Sequence, residues 1–149
     1  MLRVCEDGPF DHLARFWTAG LPVPYPVQLD GTEILMELVT QEDGSAAPRL
    51  AQTRPPRDLL LSYWEQLVEA MRVMAAMGLA HGDLSPFNVL ATEERLVLID
   101  VPQAVDVVAN SQGMDFLARD CRNVATWFAA RGLDVDVEEL LADLLAYAF

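Results

Sequence analysis

The sequence predicts a mainly helical α+β fold, with a few antiparallel strands in the first part of the chain and in one later hairpin. Three observations support this fold class. Apolar residues recur at helical spacing after residue 56, short apolar runs flank turn residues, and 52% of the 149 residues are hydrophobic while 22% are charged. A chain of this length fits one globular domain with a substantial core.

A short helix and two strands are predicted in the first forty residues. Residues 10–19 carry large apolar side chains on one helical face, and Gly20 follows as a stop signal. The runs 27–29 and 34–39 have the composition of strands, and residues 30–32 between them have the composition of a turn. We therefore expect one hairpin after the first helix.

A polar, proline-containing stretch over residues 41–56 lacks periodicity and predicts a loop. It marks a boundary between a small N-terminal part, residues 1–40, and a helical remainder, residues 41–149. The remainder carries signals for three helices and one hairpin. The first is a long amphipathic helix with apolar residues from Leu60 to Gly78, and the hairpin strands follow over 88–92 and 96–100. The next helix has Leu117 to Phe128 on one face and ends at Gly132, and the last helix has Asp136 and Glu139 as a capping box.

The composition excludes some classes of function. The formal net charge is −13, with 23 acidic residues against ten arginines and no lysine, and this balance does not support a nucleic-acid surface. No apolar run is long enough to span a membrane, and no secretion signal is evident, so we expect a cytoplasmic protein. We interpret Cys5 and Cys121 as buried free thiols, because their spacing fits no metal site.

One central segment carries most of the functional information. It reads His81-Gly82-Asp83-Leu84-Ser85-Pro86-Phe87-Asn88 and is followed by Leu98-Ile99-Asp100. An aspartate can orient an acceptor hydroxyl and take its proton, while Mg²⁺ needs only a few oxygen ligands. Hairpin pairing would bring Asp100 towards Asn88, so Asp83, Asn88 and Asp100 supply one base and two metal ligands. Each residue alone has an ordinary structural explanation, such as a cap, a turn or core packing, and only their combination indicates phosphoryl transfer.

This pattern resembles the protein-kinase-like superfamily and, more narrowly, the RIO family of atypical serine/threonine kinases. The loop alone would also fit aminoglycoside-type and choline phosphotransferases, which share His-Gly-Asp. The segment Ile99-Asp100-Val101-Pro102-Gln103-Ala104-Val105 separates them, because it is similar to a RIO-type motif. Supporting similarity lies at residues 19–24, 47–50 and 119–132, and the resemblance covers residues 10–132.

The resemblance implies a protein-kinase-like fold with a helical C-lobe, residues 41–149, and a truncated N-lobe, residues 1–40. It implies that ATP and Mg²⁺ are the cofactors. By this resemblance Asp83 is the catalytic aspartate, Asn88 is a magnesium ligand, and Asp100 is a metal ligand that can also accept the phosphate as an aspartyl-phosphate. Residues 36–39 form the hinge, with Met36 as gatekeeper and the backbone of Glu37 and Val39 facing the adenine. Ser85 lies near the phosphates or only forms a turn, while His81 and Asp120 give structural support.

The sequence also departs from the kinase pattern. It contains neither a glycine-rich loop before residue 10 nor the lysine that normally anchors ATP phosphates. We therefore expect a chain that starts within or just before the first helix of the N-lobe, either as a fragment or as a naturally shortened relative. Weakened turnover is expected, because the transferring phosphoryl group would lose a fixed positive partner.

Three functional hypotheses follow. The first is a RIO-like, magnesium-dependent kinase that phosphorylates a Ser/Thr protein substrate of unknown identity, or an ATPase that uses its own aspartate. The second is a small-molecule phosphotransferase of the aminoglycoside type. The third is a nucleotide-binding pseudokinase or scaffold, which the lack of lysine favours and the retention of Asp83, Asn88 and Asp100 opposes.

Overall fold

The computed structural model describes residues 9–30, 33–36, 38–99 and 104–149. Within these ranges four helices accompany three two-stranded antiparallel sheets, which confirms the predicted mainly helical α+β class. The elements are α1 (Pro9–Thr18), β1 (Pro26–Asp30), β2 (Glu33–Met36), α2 (Arg57–Ala76), β3 (Leu79–Ala80), β4 (Val89–Ala91), β5 (Leu96–Leu98), β6 (Val105–Asp106), α3 (Gly113–Ala130) and α4 (Val137–Ala148).

The second strand of the first hairpin ends earlier than predicted. β1 and β2 pair antiparallel as expected, but β2 ends at Met36, so the prediction of a strand up to Val39 is wrong. The backbone after Met36 takes other partners: the Val39 carbonyl accepts a hydrogen bond from the Ala47 amide at 3.0 Å, and Thr40 bridges Ala46. The apolar run continues past the strand because Val39 is buried in this turn.

The long helix α2 forms the centre of the core. Its buried face repeats at helical spacing, which confirms the predicted amphipathic pattern. The predicted pattern included Gly78, but α2 ends at Ala76 and Gly78 has a φ of +76°, a conformation that favours glycine. The buried residues of α2 are Leu60, Tyr63, Leu67, Ala70, Met71, Met74 and Ala75.

The last two helices pack against α2. The ring of Phe128 on α3 meets Trp64 of α2 edge-on, with centroids 5.1 Å apart. Arg72 of α2 pairs with Asp143 of α4 at 2.8 Å. α4 begins as predicted with Asp136 as its cap, whose carboxylate accepts hydrogen bonds from the amides of the first turn at 2.8 and 3.2 Å.

The second hairpin, β4 and β5, is anchored on α2. Its register pairs Val89 with Leu98 and Ala91 with Leu96, as the predicted hairpin requires. The Gln66 side chain of α2 accepts a hydrogen bond from the Leu96 amide at 2.9 Å and donates to the Glu94 carbonyl at 2.9 Å. This anchoring holds the hairpin, and with it the residues at its open end, against the helical core.

Two smaller predictions concern compartment and thiols. No helix in the described ranges is long and apolar enough to cross a membrane. Cys121 is a free, buried thiol, as expected, whereas Cys5 lies outside the described residues.

Candidate functional site

The loop over residues 81–88 connects β3 to β4 and carries the predicted catalytic aspartate. Gly82 has a φ of +90°, so the chain reverses here through a conformation that side chains with a Cβ rarely adopt. Ser85 then starts a single 3₁₀ turn over Pro86–Asn88, and its Oγ accepts a hydrogen bond from the Phe87 amide at 3.3 Å. The loop therefore begins and ends in defined turns, and Asp83 lies exposed between them.

Asp83 and Asn88 lie in direct contact. The Asn88 Nδ2 donates to the Asp83 carbonyl at 2.5 Å and lies 3.5 Å from its carboxylate Oδ2. The amide oxygen of Asn88 has no hydrogen-bond partner among the described residues, and the Asp83 carboxylate has no other partner there. Two oxygen-bearing side chains thus face a common space at the surface.

The loop is tied to the second hairpin strand beside the third predicted site residue. The Ile99 amide donates to the Asn88 carbonyl at 2.9 Å, and the buried His81 places its Nε2 2.7 Å from the Ile99 carbonyl. The His81 Nδ1 accepts from the Asp83 amide at 3.2 Å, so Nε2 carries the proton that is donated to Ile99. Asp100, the next residue along the chain, lies outside the described residues.

Asp120 on α3 binds the backbone of the loop that carries Asp83. It is 1% exposed, and its two carboxylate oxygens accept hydrogen bonds from the amides of Gly82 at 2.8 Å and Leu84 at 3.0 Å. Burial raises the pKa of this carboxyl group, and the two amide hydrogen bonds, with His81 and Arg119, oppose the increase.

The structure adds two residues to the site that sequence patterns did not single out. The Arg119 guanidinium donates to the Gly82 carbonyl, and the Asn123 Nδ2 donates to the Leu84 carbonyl at 3.4 Å. Both lie on α3 close to Asp120. Asn123 is three positions from Asp120 and four from Arg119, and residues at these spacings are neighbours on a helix surface. Because Asp120 was expected to support the loop, the helical spacing of Arg119 and Asn123 around it is the signal that could have indicated these two residues.

The predicted hinge is only partly within the described ranges. Val39 is buried and packs with Ala47 and Val97 beside the second hairpin. Its carbonyl is bonded to Ala47, and its N–H has no partner among the described residues, so the N–H is the group available to a base such as adenine. Glu37 and the side chain of Met36 lie outside what the structure describes.

The oxygen donors near Asp83 fit a hard cation such as Mg²⁺. No group of three or more His, Cys, Asp or Glu side chains that could hold a metal ion occurs within the described ranges. Mg²⁺ needs fewer protein ligands, since it keeps several waters and takes one or two side-chain oxygens. The Asn88 nitrogen is engaged by Asp83, and the amide oxygen has no partner among the described residues, so the oxygen is the atom suited to serve as such a ligand.

Comparison with known proteins points to one family. Residues 1–140 match the family model described as the RIO domain. The RIO-type serine/threonine-protein kinase Rio1 of Haloferax volcanii is 39% identical over 140 residues, which cover 94% of this chain and 47% of that protein. Serine/threonine-protein kinase RIO1 of Saccharomyces cerevisiae is 28% identical over 144 residues, and RIO3 of Homo sapiens is 31% identical over 140 residues.

The chain is shorter than these relatives. It aligns over 95% of its own length with the yeast protein and 93% with the human one, but covers 30% and 27% of their lengths. It thus spans about half the length of the Haloferax relative and about a third or less of the two eukaryotic ones.

Proposed function

This chain belongs to the RIO domain family, and we propose that it transfers the γ-phosphoryl group of ATP to a serine or threonine hydroxyl of a protein, or to its own aspartate as an ATPase. The observation that carries the proposal is the contact between Asn88 and the exposed Asp83 carboxylate, which has no other partner among the described residues. The loop that holds both is tied to Ile99, the residue before Asp100. The RIO domain is protein-kinase-like, and this supports the roles proposed here for these residues.

In this proposal Asp83 acts on the acceptor. Its carboxylate orients the acceptor hydroxyl and takes the hydroxyl proton. At the same time the hydroxyl oxygen bonds to the γ-phosphorus, and the bond from that phosphorus to the β-phosphate oxygen of the leaving ADP breaks. The exposed position of Asp83 supports this role, because an incoming protein segment can reach the carboxylate.

Magnesium would be held by the Asn88 amide oxygen and by Asp100. When bound, Mg²⁺ neutralises charge on the phosphate oxygens. The backbone pairing of Asn88 with Ile99 supports the pairing of these two ligands, because Asp100 follows Ile99 directly in the chain. The aspartyl-phosphate alternative would place the phosphoryl group on Asp100.

The nucleotide would be bound by the hinge and the loop. The Val39 N–H would donate to the adenine, with the Glu37 backbone and the Met36 side chain beside it. The Ser85 hydroxyl, whose oxygen accepts from Phe87, retains its proton to donate to a phosphate. The division into an N-lobe up to residue 40 and a C-lobe from residue 41 is part of this proposal.

The test compares nucleotide binding and turnover in matched variants. ATP with Mg²⁺ should raise the melting temperature of the wild-type chain more than ATP alone. Asp83→Asn should retain this increase but lower phosphate release or protein phosphorylation by roughly 100-fold or more, because a positioned general base contributes about 10²–10⁴ in rate. Asp134→Asn, which changes an exposed carboxylate without a described partner, should behave like the wild type.

The outcomes separate the hypotheses. If the nucleotide has no magnesium-dependent effect on the wild type, the proposed function fails for this chain. Binding without turnover would identify the nucleotide-binding pseudokinase that the absence of lysine favours. Transfer to a small hydroxylated molecule, but not to protein or water, would identify the phosphotransferase.

A further inference from the structure

The backbone around Asp83 is held in an unusual way. Residues 82–84 present three N–H and three carbonyl groups, and all six are hydrogen-bonded to side chains rather than to backbone of the described ranges. The N–H groups of Gly82 and Leu84 both donate to Asp120, and that of Asp83 donates to His81. The carbonyls of Gly82, Asp83 and Leu84 accept from Arg119, Asn88 and Asn123, in that order.

Helix α3 supplies four of these six contacts. Asp120 takes both N–H groups that flank Asp83, while Arg119 and Asn123 take both flanking carbonyls. These four groups belong to four successive peptide units, from 81–82 to 84–85, so α3 binds one polar group of each unit. A carboxylate alone would leave the carbonyls of Gly82 and Leu84 unpaired, and the loop could pivot about its two N–H contacts.

The geometry of Arg119 suits a fixed contact. Its guanidinium lies 5.0 Å from the ring centroid of Phe116, one helical turn earlier on α3, and it reaches the Gly82 carbonyl from that position. A planar group with several donors that is stacked on an aromatic ring loses little freedom when it forms a hydrogen bond.

We infer that Arg119 and Asn123 are positioning residues, which fix the carbonyl groups of Gly82 and Leu84, the two neighbours of Asp83, and thereby aim its carboxylate. This inference rests on the proposed function only where it predicts an effect on the rate of turnover. The placement of the loop itself is a property of the free protein. The residues touch neither the acceptor nor the nucleotide, and they act through the loop.

The first test measures the loop without any activity. Amide hydrogen exchange of Gly82, Asp83 and Leu84 is followed by NMR in Arg119→Gln, Asn123→Ala and Arg122→Gln. Arg122 lies on α3, is exposed and has no described contact with the loop, so it is the matched control. We expect exchange at these three amides to become at least about 10-fold faster in the first two variants and to stay unchanged in the third.

Exchange in the helix core separates a local effect from loss of the fold. The amides of Val124 and Phe128, both buried on α3, should keep their protection in all three variants. Unchanged protection at residues 82–84 in Arg119→Gln and Asn123→Ala would overturn the inference, and so would an equal loss in Arg122→Gln.

The second test applies where the wild type turns over ATP. Arg119→Gln should lower kcat by about 10- to 100-fold with little change in KM for Mg·ATP, because misplacing a reacting group by about 1 Å costs roughly that much. Arg119→Lys should recover part of the loss, since one ammonium donor can reach a single carbonyl. An unchanged kcat would overturn the inference. A wild type without turnover would refute the proposed kinase or ATPase function, and amide exchange alone would then decide the roles of Arg119 and Asn123.

Discussion

Polar side chains that are buried in the described part of this protein serve its loops. His81 and Asp120 bind the loop of Asp83, and Thr92 closes the turn of the second hairpin through hydrogen bonds with Arg95. A buried polar group costs free energy unless it is bonded, and each of these groups is. Cys121, directly after Asp120, is also buried and carries a free thiol.

The thiol of Cys121 should be a reporter of unfolding. Burial raises its pKa from 9.0 to about 12, so the reactive thiolate is scarce in the folded chain. In a Cys5→Ser background, a thiol reagent should label Cys121 only as fast as the protein unfolds. Rapid labelling of the folded protein at neutral pH would contradict this expectation.

The same thiol should lower stability in alkali. Between the unfolded pKa of about 9 and the folded pKa of about 12, the folded state holds a proton that the unfolded state has lost, so the free energy of unfolding decreases as pH increases. From about pH 8 to about pH 10.5 the loss is on the order of 2 kcal/mol. Denaturant titrations should show the advantage of the wild type over Cys121→Ala shrinking by that amount, whereas a constant advantage would contradict it.

Residue spacing in the sequence found site residues whose partners are close along the chain, whereas Asp120, with partners 36 and 38 residues away, was indicated by the family resemblance. His81, Asp83 and Asn88 lie within one loop, so their spacing is a pattern that a sequence can show. Arg119 and Asn123 instead bond to carbonyls 37 and 39 residues away. A backbone carbonyl has no residue identity, so the sequence does not show which group each side chain binds, and only the helical spacing around Asp120 points to the two residues.

The start of α3 is the most crowded junction between elements. Gly113 is the first residue of this helix, and β6 ends just before the turn that leads to it. A Cβ built on Gly113 would lie 2.6 Å from the Asp106 carbonyl oxygen and from two backbone atoms of Val107. The close approach of the two backbones therefore requires a residue without a side chain.

Gly113→Ala should destabilise the protein. Helix propensity alone favours alanine by up to about 1 kcal/mol, whereas overpacking against backbone atoms costs about 1–3 kcal/mol. Because backbone atoms cannot move aside cheaply, we expect the free energy of unfolding to fall in a urea titration. A stabilised variant would show that the junction is looser than described.

Element prediction succeeded where periodicity was long and failed where it was short. The 20 residues of α2 contain enough turns to show an apolar face. β3 and β6 have two residues each, which is too short for alternation, and their pairing depends on the Gly78 turn and on the chain before α3. The end of β2 was missed because the buried Val39 continues the apolar run while its backbone bonds elsewhere.

At the scale of the whole molecule the dominant property is charge. The chain carries a net charge of −13, and the ion pairs within the described ranges involve one cation, Arg72, with Glu69 at 3.7 Å and Asp143 at 2.8 Å. Most carboxylates there repel one another across the surface without a fixed positive partner. Such self-repulsion opposes the compact state.

Salt should therefore stabilise this protein. Raising KCl from about 0.1 M to about 1 M shortens the Debye length from roughly 10 Å to roughly 3 Å, which screens the repulsion between carboxylates. We expect the melting temperature to rise with KCl, and to rise less in a variant in which the exposed Asp134, Glu138 and Glu139 are replaced by their amides. A melting temperature that falls with KCl would mean that the described ion pairs outweigh the repulsion.

The dependence of the loop on α3 also sets the order in which the site can form during synthesis. Residues 82–84 are made first, and the side chains that bind their backbone follow 36 to 39 residues later. At about 5–20 residues per second, the nascent loop waits roughly 2–8 s before α3 can dock. Until then the peptide groups that α3 binds are open to water, and Asp83 lacks the contacts that we infer aim its carboxylate. We therefore expect the proposed chemistry to begin only after this helix has been translated.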